Sequence, residues 1–149
     1  MDKKINTDEA LSIAITKHQQ NQLKEAQILY NKILEVNPNH IQALSNLGVL
    51  YKQLGENIKA KNYFEKAIEL NPNYQEAHNN LGVIFKETGE TLKAKGCYEK
   101  AIELNPNFAD AHNNLGVIFK ELGETLKAKN YFEKAIELNP NFADAHYNL

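Results

Sequence analysis

Four asparagines, Asn46, Asn80, Asn114 and Asn148, stand 34 residues apart. A carboxamide carries both a donor and an acceptor. A peptide backbone offers the same pair at every residue. A column of such amides could therefore hold an extended chain without reading its side chains. Beside it run other columns with the same spacing. Asn79 and Asn113 follow Ser45, Lys86 and Lys120 follow Lys52, and Asp110 and Asp144 follow Glu76. The lysines could receive a carboxylate, and the acidic column offsets them. These residues form the candidate binding set: Asn46, Asn80, Asn114, Asn148, Asn79, Asn113, Lys52, Lys86, Lys120, Glu76 and Asp110.

Catalytic chemistry has little to work with. The chain has two serines, Ser12 and Ser45, and one cysteine, Cys97. There is no Gly-rich phosphate loop and no HExxH pattern. In Asp110-x-His112 and Asp144-x-His146 the partners fall on different helix faces, so no triad geometry follows. His78, His112 and His146 lie one period apart with no second ligand at i+4. They read as packed rings rather than metal ligands. His18 and His40 read as isolated surface residues, and Cys97 as a packing variant of Tyr63 and Tyr131. No catalytic residue, metal or cofactor is expected.

The elements that must position these columns follow from the period. Pro38, Pro72, Pro106 and Pro140 are each 34 residues after the last, and each sits in an Asn-Pro-Asn triplet. Segments 75–108 and 109–142 differ at only six positions, so the repeat sets every later assignment. The chain divides into a polar arm, 1–6, four units, 7–40, 41–74, 75–108 and 109–142, and the start of a fifth, 143–149. Asn6 or Thr7 can cap a first helix over about 8–20. Asn21 stands where later units carry Gly55, Gly89 and Gly123, and Asn tolerates the left-handed turn next best. Further helices fall at about 23–36, 41–54, 57–70, 75–88, 91–104, 109–122 and 125–138. Proline disfavours the helical state in the residue before it, which stops each second helix at an asparagine. The short connections make the two helices of a unit antiparallel.

At about 100° per residue, His112, Leu115, Gly116 and Phe119 share a face that Leu122 extends. Leu126, Ala128, Phe132, Ala135 and Ile136 supply the opposing positions. Gly116 and Ala128 are small enough to let two helices approach closely. Asn79, Asn80 and their equivalents are placed on the side away from this core. A pair this short cannot bury its apolar face alone and needs the next pair stacked on it.

The spacing Leu47-Gly48-x-x-Tyr51, Ala60-x-x-x-Phe64, Ala67, Pro72, matched in the third and fourth units, resembles the tetratricopeptide repeat over residues 7–149. Where that family often has Trp, this chain has Ala10, Leu44, His78, His112 and His146. The first unit departs furthest and reads as a cap. The resemblance implies an all-α, right-handed superhelical array of antiparallel helix pairs, four repeats plus a truncated fifth. It also implies a concave groove lined by the first helices, in which the equivalent asparagines contact ligand backbone. The repeats are similar, too, to the helical-repeat part of O-linked N-acetylglucosamine transferases, where an asparagine ladder is known. The expected role is non-catalytic binding of a protein or extended peptide. Two alternatives are a recruiting module of a larger transferase and a scaffold self-assembling through uncapped ends. The segment 143–149 stops mid-helix, which reads as a fragment of a longer array or an N-terminal module of a larger protein, able to form homo-oligomers through the exposed end.

Composition narrows the partners. The formal net charge is −2 and all 17 basic residues are lysine, so neither a strong field nor a bidentate guanidinium favours nucleic acid. No apolar run approaches the roughly 18 residues of a membrane span. The N-terminal sequence lacks the apolar core of a signal peptide, and a cytoplasmic location is expected.

Overall fold

The computed structural model describes residues 6–149. Apart from Asn6, the expected polar arm lies outside the described residues. Those residues form nine helices and no strand. They divide into two compact units at Pro72–Asn73.

The first unit holds α1 (Thr7–Gln19), α2 (Leu23–Val36), α3 (Ile41–Gln53) and α4 (Asn57–Leu70). Helix α1 starts where Asn6 accepts from the amides of Asp8 and Glu9 at 3.1 and 3.3 Å. Two otherwise orphan donors are thereby satisfied. The turn to α2 needs one left-handed residue, and Asn21 takes it at φ 60°. Gly55 does the same before α4 at φ 74°, without the Cβ penalty that Asn21 carries. Three-residue links join α1 to α2 and α3 to α4, and each pair packs together, which makes them antiparallel. The pairs also stack, α2 on α3 and α1 on α3.

The second unit holds α5 (Gln75–Glu87), α6 (Thr91–Leu104), α7 (Ala109–Glu121), α8 (Thr125–Leu138) and α9 (Ala143–Asn148). Its pairs α5–α6 and α7–α8 are built the same way, with α6 against α7 and α8 against α9. The Asn-Pro-Asn turns are local hydrogen-bond devices. Asn105 Oδ1 and Asn139 Oδ1 accept from the backbone amides of Asn107 and Asn141 at 3.1 and 3.2 Å, an Asx turn that offers the chain an alternative to further helix.

Within a pair, one glycine sets the contact. A Cβ on Gly116 would lie 2.6 Å from the Phe132 ring, and one on Gly82 would lie 2.7 Å from the Tyr98 ring. The partner's aromatic ring fills the space a side chain would take. His112, Leu115 and Phe119 are buried beside it, as are Ala128, Phe132 and Ala135.

Two expected core positions are not core. Leu126 is 73% exposed. It lies two residues before Ala128, about 200° round the helix, so it points away from the face that Ala128, Phe132 and Ala135 bury. Leu122 is 44% exposed. It is the C-cap of α7, at the rim of the hairpin. Conversely, Ala111 and Ile118 are fully buried, because neighbouring pairs cover a second side of each first helix.

Candidate functional site

Asn46 and Lys52 belong to the first unit, and the other candidate residues to the second. In the second unit the two asparagine columns, expected to line one solvated face, have different fates. Asn79 and Asn113 are buried, 7% and 6% exposed. Asn80, Asn114 and Asn148 are half-buried. Asn114 Nδ2 donates to Asn79 Oδ1 at 3.0 Å, and Asn148 Nδ2 donates to Asn113 Oδ1 at 3.1 Å. The placement of Asn79 and Asn113 away from the core therefore needs correcting. The first helix of the next repeat covers them, and they accept its outer amide. Ser45 at the same register in the first unit is also buried.

The outer amides are not used up by this. A carboxamide has two N–H donors and an oxygen with two lone pairs. Each bond takes one N–H and leaves the oxygen of Asn114 or Asn148 and its second N–H. Asn46 is held by a different anchor. Its amide hydrogen-bonds the Tyr30 hydroxyl, which partly offsets the burial that pushes the Tyr30 pKa up to about 12. The residue at the inner register of the first repeat is Leu11, which is buried and cannot accept.

The charged columns are partly spent within the chain. Lys86 pairs with Glu121 at 3.2 Å, and Lys120 Nζ donates to the Asn148 carbonyl at 3.2 Å. Glu76 accepts from the Gln75 amide at 3.1 Å. Asp110 is pushed above its ordinary value, first by partial burial and then by the Asp144 carboxylate. Lys52 is half-buried. A free lysine column awaiting a carboxylate is thus not what the second unit presents.

The histidines act as polar ties. His112 Nε2 donates to the Pro106 carbonyl at 2.8 Å, and His146 Nε2 does the same to Pro140. Each ring fastens its helix to the preceding proline turn. His146 is exposed, unlike the packed ring expected there. His40 accepts from the Ala43 amide at 3.3 Å. His18 is not an isolated surface residue. Its ring is 3.4 Å from the Tyr30 hydroxyl and 2.9 Å from Gln53 Oε1. With Ile15, Gln19, Asn21, Asn46 and Val49, these three line a cleft of about 410 Å³. The signal for it lay in the register, since His18 stands one period before Lys52 and Gln53 one before Glu87.

Cys97 is half-buried, and burial pushes its thiol up to about 11, which leaves little thiolate at neutral pH. Among the described residues there is no group of three or more His, Cys, Asp or Glu able to hold a metal ion. No helix among them is long and apolar enough to cross a membrane.

Models of the tetratricopeptide repeat match residues 11–40, 41–74, 63–96, 93–123 and 109–142. The chain belongs to the tetratricopeptide repeat family, whose members are typically non-catalytic scaffolds. Among solved structures it is similar to a crystal structure of MamA, with 30% identity over 91% of this chain and 80% of that one, at a TM-score of 0.76. A second MamA structure gives 30% identity over 95% and 78%, at 0.77. PilF of Pseudomonas aeruginosa shares the fold, with 24% identity over 95% of this chain and 65% of that one, at 0.87. No curated protein matches the chain by sequence.

Proposed function

We propose that the chain is a protein-binding scaffold that holds an extended peptide by its main chain, through the outer asparagines of its second unit, Asn80, Asn114 and Asn148. The observation that carries this is the anchoring of the outer amides. Asn114 and Asn148 are each fixed through one N–H to the repeat before, with an acceptor and a second donor left over. A carboxamide already held in place loses less rotamer freedom when a ligand arrives. The remaining donor and acceptor match one peptide unit. Asn79 and Asn113 then serve as positioning residues, while Asn80 and Asn114 touch the ligand. Lys86, Lys120, Glu76 and Asp110 flank the amides and adjust charge. The near-zero net charge suits a peptide bound by hydrogen bonds better than a polyanion.

Selection from a library of random dodecapeptides, followed by affinity measurement on purified protein, tests this. The expected result is binders that tolerate side-chain changes but weaken by about tenfold or more against Asn80→Ala/Asn114→Ala, the loss of one or two well-made hydrogen bonds. Equal affinity for the parent and the folded double variant overturns the ladder.

A further inference from the structure

The cleft around His18 differs in chemistry from the matching place in the second unit. Contacts between successive first helices recur at a spacing of 35 residues. In the second unit the pair is ionic, Lys86 with Glu121 at 3.2 Å. In the first unit the same offset joins His18 to Gln53, a pair with no carboxylate, at 2.9 Å. Gln53 Oε1 can only accept, so His18 Nε2 carries the hydrogen. With the hydrogen on Nε2, Nδ1 is placed to accept from the Tyr30 hydroxyl, 3.4 Å away. Tyr30, itself fully buried, is hydrogen-bonded by Asn46. A relay from Asn46 through Tyr30 and His18 to Gln53 thus runs through the cleft.

The lining contains four carboxamides, a phenol, an imidazole and two aliphatic residues, Ile15 and Val49, but no aspartate, glutamate or lysine. Its volume of about 410 Å³ lies in the range of ligand clefts. An ionic group entering it meets no carboxylate or ammonium to offset its lost hydration, which is costly. A neutral amide meets both donors and acceptors, with Ile15 and Val49 against its methylenes.

We propose that this cleft is a subsite for an uncharged carboxamide side chain, that of Asn or Gln, on a bound peptide. It rests on the reading of the chain as a peptide holder. It adds a position where residue type is read, whereas the outer asparagines elsewhere accept any main chain.

The test uses the full chain and three N-acetylated, C-amidated nonapeptides, alternating Gly with Asn, with Asp or with Lys. Side-chain amide signals of Asn46, Gln53, Asn114 and Asn148 are followed by two-dimensional NMR. The Gly-Asn peptide is expected to move Asn46 and Gln53, and the Asp and Lys peptides are not. His18→Lys/Gln53→Glu installs the ionic pair seen at Lys86 and Glu121. It is expected to weaken the Asn46 response about tenfold or more while leaving Asn114 and Asn148 as before. If that variant does not fold, Gln53→Glu alone, at an exposed position, carries the same expectation. Equal response of Asn46 and Gln53 to the charged peptides overturns the subsite, as does undiminished cleft binding in the variant. Shifts confined to Asn114 and Asn148 overturn the subsite and leave the peptide-holding reading standing. No shift at any of the four overturns both.

Discussion

Tyr98 occupies the position that Phe64 and Phe132 hold in the flanking repeats. All three rings are buried against the glycine of their partner helix. The Tyr98 hydroxyl is buried with no hydrogen-bond partner, and that burial raises its pKa. Tyr30 stands at the same register, but Asn46 and His18 satisfy it. An unpartnered buried hydroxyl costs about 1–3 kcal/mol. Tyr98→Phe is therefore expected to stabilise the chain by about 1 kcal/mol or more, read as a higher denaturation midpoint in urea. The same change at Tyr30 is expected to destabilise it, because two partners lose their bond.

Asp110 gives the second residue-scale prediction. It sits in the first turn of α7, where the helix N-terminus favours its charge. Burial and Asp144 outweigh that and raise its pKa above 3.8. The folded chain then binds the proton more tightly than the unfolded one. The resulting penalty is absent below pH 3.8, grows as pH rises through the folded value, and is fully present at neutral pH. Asp110→Asn is expected to raise the melting temperature at pH 7. The gain should shrink as the pH is lowered toward 3.8. A gain independent of pH would assign the effect to something other than charge.

At the scale of the helix, the hairpin contact decides stability. Gly116 lies under the Phe132 ring, with no room for a Cβ. Gly116→Leu forces that ring or its backbone to move, and overpacking of this kind costs about 1–3 kcal/mol. Chemical denaturation measures it, and an unchanged midpoint would mean the two helices are not locked there. The surface ion pairs matter far less. Lys100–Glu103 and Lys134–Glu137, at 3.0 and 2.9 Å, are solvated pairs of the kind worth about 0.2–0.5 kcal/mol.

At the scale of the whole molecule, what counts is that repeats within each unit couple through neighbours. Asn148 of α9 is tied to Asn113 of α7, so the start of a fifth copy already docks on the fourth. Stability in such arrays grows as intrinsic plus interface terms. Placing one more copy of residues 109–142 directly after Phe142, before the existing tail, is expected to raise the guanidinium midpoint and steepen the transition. An unchanged midpoint would show that the added copy folds without coupling.

The sequence by itself determined whatever is chemically local. Prolines 34 residues apart, asparagine before each, a left-handed residue at Asn21 or glycine, and small residues at Gly48, Gly82 and Gly116 sufficed to place eight helices and their pairing. Each depends on a residue's own backbone preference or size. Only the tertiary structure decided which of two adjacent asparagines is buried, that Leu126 faces water, and that His18 lines a cleft. The physical reason is an offset. Sequence columns join residues 34 apart, whereas the bonds between stacked repeats join residues 35 apart, as in Asn79–Asn114 and His18–Gln53. That extra residue is a property of how one helix pair seats on the next, and no period in the chain records it.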